Sequence, residues 1–366
     1  MTVTTIVGAR PQFVKAAPVS RALAARGVAE TLVHTGQHYD PQLSDVFFAE
    51  LRLPKPHHHL GIGSGTHAAQ TGRMLAAIEA VLVAERPDWA LVYGDTNSTL
   101  AGALAAAKLG IRVAHVEAGL RSFNRTMPEE INRVVADHLA DLLLCPTQAA
   151  VRNLAAEGIQ RGVHLVGDVM YDSLLHNLRL ADQAPSPLEA IGIAPRAYYL
   201  ATVHRAANTD DPARLARLLG LLAGLDAPVL LPLHPRTAGA LAAAGMEARH
   251  GVLRPIEPAS YLQMLRLERH ARAILTDSGG VQKEAYLLAV PCITLRAETE
   301  WVETVEAGWN ALVDADAARF AEAMEAVARW DGQRAPFGAG SGRPDLYGDG
   351  HAAEAIAEIL TRVQEE

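Results

Sequence analysis

Apolar residues along this chain gather into short runs, separated by longer stretches in which they recur every three or four positions. The runs Thr4–Gly8, Glu30–His34, Trp89–Tyr93, Arg112–Val116, Leu142–Cys145 and Val163–Val166 read as strands. Helical patterns lie between them: one beginning near Val14, one over His67–Glu85, an Ala-rich one from Ser98, and one from Met127 to about Leu139. Strands alternating with helices imply parallel βαβ units with right-handed crossovers. The alternation pauses over Leu175–Pro195, where Pro185, Pro187 and Pro195 suggest a linker. It resumes with Tyr198–Val203, Val229–Leu233, Val252–Leu253, Ala273–Thr276 and Cys292–Leu295. The expected fold class is therefore α/β, with two doubly wound Rossmann-like domains facing each other across a cleft. The first covers 1–170 and the second 171–351. The last helix, Ala352–Gln364 within 352–366, is expected to pack back on the first domain. In such sheets ligands lie beyond the carboxyl ends of the strands.

Composition narrows the class. The chain has 366 residues, enough for two domains with separate cores. Hydrophobic residues make up 49% and aromatics only 5%, which suits many helices packed on strands. The net charge of −8 and the absence of a long basic run argue against nucleic acid or an anionic membrane as partner, so any anion site must be a local basic pocket. Cys145 and Cys292 each lie beside a proline at a strand boundary and read as buried free thiols. The N-terminus lacks the features of a signal peptide, and no apolar segment is long enough to span a bilayer. A cytoplasmic protein is expected.

Candidate chemistry gathers just past the strand ends. Ile274 to Glu284 is an apolar run followed by Asp-Ser-Gly-Gly and then an amphipathic helix. Two glycines let backbone N–H groups approach an anion, and the helix start adds partial positive charge. Ser278 can donate to a phosphate, and Glu284 can accept from a pair of ribose hydroxyls; together these suit a nucleoside diphosphate. In Gly8-Ala-Arg-Pro-Gln-Phe-Val-Lys15 a glycine turn brings Arg10 and Lys15 to a helix start, where two cations can hold phosphate. Asp95 follows a strand and reads either as a helix cap or as a chemical group. Glu117 ends a strand among small residues with Arg121 close by, which is unusual for packing. Glu129 and Glu130 open a helix after Pro128, and periodicity does not separate their roles. His204-Arg205 ends the first strand of the second half and reads equally as structure or catalysis. His57-His58-His59 reads as surface loop without metal-ligand spacing. Neither G-x-x-x-x-G-K-[ST] nor a post-strand G-x-G-x-x-G occurs, so Walker ATPase and ordinary NAD-binding readings lose their support.

Six motifs occur in a fixed order: Gly8-Ala-Arg-Pro with Lys15, Gly94-Asp95-Thr, His115-Val-Glu-Ala-Gly-Leu-Arg121, Pro128-Glu-Glu-Ile-Asn-Arg133, His204-Arg205, and Asp277-Ser-Gly-Gly with Glu284. This set resembles the non-hydrolysing UDP-N-acetylglucosamine 2-epimerases, over nearly the whole chain. The resemblance implies the glycosyltransferase-B fold and a route with neither NAD nor metal. The C1–O bond to UDP breaks, loss of the C2 proton gives a 2-acetamidoglycal, and UDP adds back while a proton arrives on the opposite face. It carries over Asp95, Glu117, Glu129 and His204 as the catalytic set. Arg10, Lys15, Arg133, Arg205, Ser278, Gly279, Gly280 and Glu284 carry over as contacts to the UDP-sugar. It further implies a homodimer and a second UDP-sugar as activator, with Gln37, His38, Gln70, Arg73 and His234 as its candidate contacts.

The chain departs from the family pattern at two places. Gln12 stands where many members have Glu, and Ala207 stands where His-Arg-x-Glu is common, with Asn208 a candidate for compensation. Together with Gly36-Gln-His-Tyr-Asp40 and Glu298-Thr-Glu-Trp-Val-Glu303, the first departure resembles epimerases acting on UDP-2,3-diacetamido-2,3-dideoxyglucuronate, which is the alternative substrate. A glycosyltransferase, a hydrolysing epimerase and a weakly active nucleotide-sugar sensor remain as competing functions.

Overall fold

The computed structural model describes residues 1–37, 53–338 and 342–363, and of Arg10 only the backbone. The chain divides into two compact units. The first is Met1–Leu175 together with the segment from Asp345, and the second is His176–Pro344.

The first unit contains, in order, β1 (Thr2–Val7), α1 (Arg10–Ala25), β2 (Ala29–His34), β3 (His58–His59), α2 (His67–Glu85), β4 (Trp89–Tyr93) and α3 (Asn97–Lys108). It continues with β5 (Arg112–Val116), α4 (Pro128–Leu139), β6 (Leu142–Cys145), α5 (Gln148–Ala156), β7 (Val163–Leu165) and α6 (Val169–Ala181). Its strands form one parallel sheet in the order β3-β2-β1-β4-β5-β6-β7. Strands such as Trp89–Tyr93 are buried throughout, because helices cover both faces of the sheet. Ile6, Val33, Ala90, Val92 and Val113 pack against Met74, Ile78 and Leu82 of α2 and the alanines of α3.

The second unit contains α7 (Pro187–Ile191), β8 (Tyr199–Thr202), α8 (Ala206–Thr209), α9 (Pro212–Ala223), β9 (Val229–Pro232), α10 (Pro235–Ala243), β10 (Leu253–Ile256) and α11 (Tyr261–His270). Then follow β11 (Ile274–Thr276), α12 (Gly279–Leu287), β12 (Cys292–Thr294), α13 (Val302–Glu306), β13 (Asn310–Leu312) and α14 (Ala317–Arg329). This sheet is also parallel, in the order β10-β9-β8-β11-β12-β13. The last helix, α15 (Ala352–Val363), belongs to the first unit, where it packs on α1.

Several details differ from the sequence reading. The first helix starts at Arg10 and not near Val14. Pro11 fits the first turn, and the Gln12 side chain accepts from the N–H groups of Gly8 (2.8 Å) and Ala9 (3.1 Å). A polar opening thus hides a helix start that apolar periodicity does not show. The supposed linker is largely helical: α6 runs through the unit boundary, and Ser186 caps α7 through the N–H of Leu188. Of its prolines, Pro185 lies between the two helices, Pro187 opens α7 and Pro195 follows it. The three histidines are not idle surface: His57 Nδ1 accepts from Leu32 N–H (3.0 Å), His58 pairs with Glu85 (2.8 Å), and His59 stacks on His34. Cys145 and Cys292 are free and buried, and burial pushes both thiols up to about 12. Among the described residues no helix is long and apolar enough to cross a membrane.

Candidate functional site

Strand order decides where each unit can hold a ligand. In the first sheet the order reverses between β1 and β4, and in the second between β8 and β11. Side chains past the carboxyl ends of those strands point into the opening left where the connections diverge. Of the candidates from the sequence, Asp95 follows β4, His204 and Arg205 follow β8 and Ser278 follows β11; Lys15, Glu117, Glu129, Arg133 and Glu284 come from neighbouring elements.

In the first unit, the turn after β1 is built by small groups and one amide. Gly8 has no room for a Cβ, because Thr35 and Ser98 hydroxyls fill that space. Gln12 is fully buried: besides its two acceptor bonds, its amide donates to Tyr93 C=O (2.8 Å) and Thr99 Oγ1 (3.1 Å). A glutamate there would meet the Tyr93 carbonyl with no proton to give, which is a physical reason for the amide in this chain. One turn further along α1, Lys15 forms an ion pair with Glu117. Glu117 follows β5 with φ of 69°, a left-handed conformation that costs a non-glycine residue about 1–3 kcal/mol. Gly94, itself at φ 61°, leaves the space in which the Lys15 and Glu117 side chains meet.

Asp95 follows β4 and forms an ion pair with Arg133. It does not cap the next helix; Thr96 does, through the N–H of Thr99. Asn132 donates to the Asp95 carbonyl (2.9 Å) and fixes the turn. The two adjacent acids of α4 separate cleanly. Glu130 is buried, accepts from Ser122 N–H and Oγ–H and Phe123 N–H (each 2.9 Å), and pairs with Arg133 (2.6 Å). Those donors and the arginine hold its carboxyl below the usual range despite burial. Glu129 is exposed and free for other work. Arg121 does not serve Glu117: it pairs with Asp137 (2.7 Å) and Glu157 (2.7 Å). Asp137 in turn bonds His115 Nδ1 (2.7 Å), whose Nε2 donates to Gly94 C=O (2.7 Å). This buried chain from α4 to the Gly94–Asp95 turn was not visible in the sequence, because Asp137 stands twenty-two positions from His115.

In the second unit, Asp277 is the centre, a residue that sequence reasoning quoted in a motif but gave no role. It is fully buried at the end of β11 and accepts from the N–H groups of His204 (2.9 Å) and Arg205 (2.9 Å) and the Asn208 amide (3.0 Å). It also lies 3.4 Å from His204 Nδ1. The His204 imidazole is half-buried, and burial lowers its pKa; Asp277 acts against that shift, while His234 and Arg205 reinforce it. A neutral imidazole suits proton transfer near neutral pH. Asn208, not Ala207, is the structural member here. It is held by Arg214 (2.7 Å) and binds both Asp277 and Leu295 C=O (3.0 Å), while Ala207 is exposed.

Ser278 precedes α12, and its hydroxyl makes no capping bond. Gly279 and Gly280 open the helix, so their N–H groups form an anion cradle. Arg205 sits 3.8 Å from Glu300, which pairs also with Arg296 (3.0 Å). Glu284, about one turn past Gly280 and well buried, accepts from Tyr261 OH (3.0 Å). Burial pushes its carboxyl up to about 7, against Tyr261 and the Lys283 charge.

The structure thus brings Lys15 to Glu117 and Asp95 to Arg133 in one unit, and His204, Arg205, Ser278, Gly279 and Gly280 together in the other. His38 and the Arg10 side chain lie outside what is described. Of the remaining activator candidates, Gln37 Oε1 accepts from Ser98 Oγ (2.7 Å), Gln70 binds Gly63 C=O (2.7 Å), Arg73 binds Ser64 C=O (3.0 Å), and His234 caps α10. No cluster of metal ligands occurs among the described residues.

Residues 21–361 match the family model described as UDP-N-acetylglucosamine 2-epimerase. The chain belongs to this family. A relative from Methanococcus maripaludis, named a UDP-N-acetylglucosamine 2-epimerase homolog, is 48% identical over 98% of this chain and 99% of its own. A relative from Pseudomonas aeruginosa, named UDP-2,3-diacetamido-2,3-dideoxy-D-glucuronate 2-epimerase, is 48% identical over 99% of this chain and 100% of its own. A crystal structure of the Methanocaldococcus jannaschii UDP-GlcNAc 2-epimerase in complex with UDP-GlcNAc and UDP is 42% identical. It covers 99% of this chain and 100% of its own, with a TM-score of 0.87. Family membership and this likeness establish the two-domain glycosyltransferase-B fold and place the chain among isomerases.

Proposed function

We propose that the protein interconverts UDP-GlcNAc and UDP-ManNAc without hydrolysis. The observation that carries this reading is Glu117, held in a left-handed conformation at a strand end and paired with Lys15 beside Asp95. Packing alone does not require a charged residue in that conformation.

The two units supply different halves of the chemistry. The cradle of Ser278, Gly279 and Gly280, with Arg205, binds the diphosphate, and Glu284 takes the ribose hydroxyls; Arg10, Lys15 and Arg133 complete the set of substrate contacts. As the C1–O bond breaks, its electron pair leaves with UDP, and the donors that hold UDP stabilise that charge. A carboxylate takes the C2 proton and the C1=C2 double bond forms. UDP then adds to C1 while a proton is delivered to the opposite face of C2, so atoms and charge balance over the cycle. Asp95, Glu117, Glu129 and His204 are the proton-transfer set, each worth about 10²–10⁴-fold in rate.

The second reading, UDP-2,3-diacetamido-2,3-dideoxyglucuronate as substrate, is favoured by the 48% identity to the Pseudomonas aeruginosa relative and by Gln12. We also infer a homodimer, a second UDP-sugar as activator near Gln37, Gln70 and Arg73, and a cytoplasmic location. Sedimentation and the shape of the substrate saturation curve test the first two.

Incubation with UDP-GlcNAc in D₂O, followed by NMR, tests the main reading. Deuterium at C2 with a growing manno signal and no free UDP supports it. Exchange only with the diacetamido-uronate selects the second substrate. Free UDP with free sugar points to hydrolysis, and no exchange with either substrate overturns the epimerase. Asp95→Asn and Glu117→Gln should each lower exchange by at least about 10²-fold while UDP affinity changes little.

A further inference from the structure

Arg205, a proposed contact to the diphosphate, already has an anion beside it: its Nη2 lies 3.8 Å from Glu300 Oε1. Glu300 stands in the segment between β12 and α13, which passes over the start of α12. A Cβ on Gly279 would collide with Glu300 Oε1 and would stand 3.4 Å from Trp301 Nε1. A Cβ on Gly280 would meet, among the described residues, only Ser278 Oγ at 4.0 Å. The carboxylate therefore sits over the first residue of the helix, where the aligned peptide dipoles favour negative charge. The first turn of α12 holds no acid of its own. Glu300 brings one from another element.

The chain on either side of Glu300 is pinned. Thr299 Oγ1 donates to Gln282 Oε1 (2.6 Å), and Trp301 N–H donates to Thr299 Oγ1 (3.1 Å). The buried Trp301 ring lies against Lys283 Nζ at 4.2 Å. The Glu300 carboxylate, in contrast, is held by Arg205 and by Arg296 Nη1 (3.0 Å), and its side chain keeps 33% of its surface exposed. Ion pairs so open to water contribute little, so a change of rotamer can break them while the backbone stays in place. A phosphate bound by the Gly279 and Gly280 N–H groups needs the same space and the same arginine. Two anions at one helix start repel each other. We propose that Glu300 is an intramolecular competitor of the diphosphate: its carboxylate occupies the edge of the cradle and must swing off Gly279, releasing Arg205, before the phosphates of a UDP-sugar can settle there. This rests on the reading of Ser278, Gly279 and Gly280 as the diphosphate cradle. Each binding event then breaks an internal ion pair, which weakens the hold on substrate and product alike.

Calorimetric titration of the full-length protein with UDP, inorganic pyrophosphate and uridine tests this. Glu300→Gln removes the competing charge and should bind UDP and pyrophosphate about tenfold more tightly than wild type, the scale of one like charge removed from close range. Uridine carries no phosphate, and its affinity should stay the same. Glu298→Gln, which removes an exposed acid from the same segment, should leave the affinity for all three ligands unchanged. Unchanged or weaker binding of UDP or pyrophosphate in Glu300→Gln overturns the proposal; weaker binding would make Glu300 a support for the arginines. Equal tightening toward uridine, or equal tightening in Glu298→Gln, overturns it too. Wild-type affinities separate the proposal from the reading beneath it. If UDP binds no tighter than uridine, the cradle reading fails, and the proposal with it. If UDP is preferred and Glu300→Gln gains nothing, only the proposal fails. A crystal structure of the protein with UDP gives a second check: the Glu300 carboxylate should have turned away from Gly279, and Arg205 toward a phosphate oxygen. A carboxylate still over Gly279 beside bound UDP overturns the proposal.

Discussion

Asp277 shows how one side chain can set the chemistry of another. Its carboxylate takes three N–H donors and lies beside the His204 ring, so Asp277→Asn would turn an amide NH₂ toward one of those donors. The expected cost is about 1–3 kcal/mol of stability in the second unit, read by thermal unfolding. The sign for His204 follows from the charges: burial lowers its pKa and the Asp277 charge opposes that. Removing the charge must lower the midpoint further, which a proton NMR titration of the His204 ring checks; an unchanged or raised midpoint would contradict the geometry. Gln12 gives a second case. Gln12→Glu should cost about 1–3 kcal/mol near neutral pH, because the amide donation to Tyr93 C=O is lost, and acidification should restore part of it by protonating the new acid. Urea unfolding at two pH values measures this. At this scale the sequence showed which polar residues end strands and little about how they are wired. Glu117, Asp95 and His204 stood out because they end strands. Glu130 and Glu129 were indistinguishable because both suit a helix start, and only packing buries one. Asp277 was given no role because its partners come from other elements.

At the scale of elements, the strands were legible wherever an apolar run is long and buried on both faces, as in Trp89–Tyr93 and Arg112–Val116. The short edge strands β3 and β13 were not, since two or three residues carry no period. The units divide at Leu175–His176, where the linker was expected to begin, but its helices went unread for a related reason. Prolines mark helix starts as readily as loops, and the cap that opens α6, Asp168 accepting from Met170 N–H (2.8 Å), was not read as one. That helix matters for the end of the chain. Its Asp172 accepts from the N–H groups of Ala353 (2.8 Å) and Ala352 (3.2 Å), and so caps α15 from another element. Burial raises the Asp172 carboxyl from 3.8 to about 6, outweighing those two bonds. The folded state therefore holds this proton more tightly than the unfolded chain, and the contribution of Asp172 to stability falls as pH rises from 3.8 through about 6. Above that window it is level. Asp172→Ala should remove this dependence and, by loss of the cap, cost about 0.5–2 kcal/mol at neutral pH. Thermal melts across the window check both: a wild-type curve that gains stability with pH there, relative to the variant, would show the sign to be wrong.

At the scale of the whole molecule, the division of labour follows from how the chain is threaded. Each unit is a doubly wound sheet with its own core, and each carries its polar groups at its own reversal of strand order. On the proposed function, unit one carries Asp95, Glu117 and Glu129 and unit two carries His204 and the diphosphate cradle, so three of the proposed proton-transfer groups can be disturbed apart from the cradle. The chain's last helix crosses back to the first unit, where Ile356 and Leu360 are fully buried and Ile359 nearly so. Burial of three such side chains is worth roughly 1.5–3 kcal/mol each, a large share of the about 5–15 kcal/mol that a domain possesses. Truncation after Pro344 should therefore loosen unit one and spare unit two. Hydrogen exchange should rise in α1, against which α15 packs, and in α6, whose Asp172 would lose its partners. Protection of β8, β11 and α12 should stay as it was, and UDP affinity at the cradle should outlast C2 exchange. Loss of protection in β8 and β11 to the same extent would mean that the two units do not keep separate stabilities, and that the acids and the cradle cannot be uncoupled by this cut.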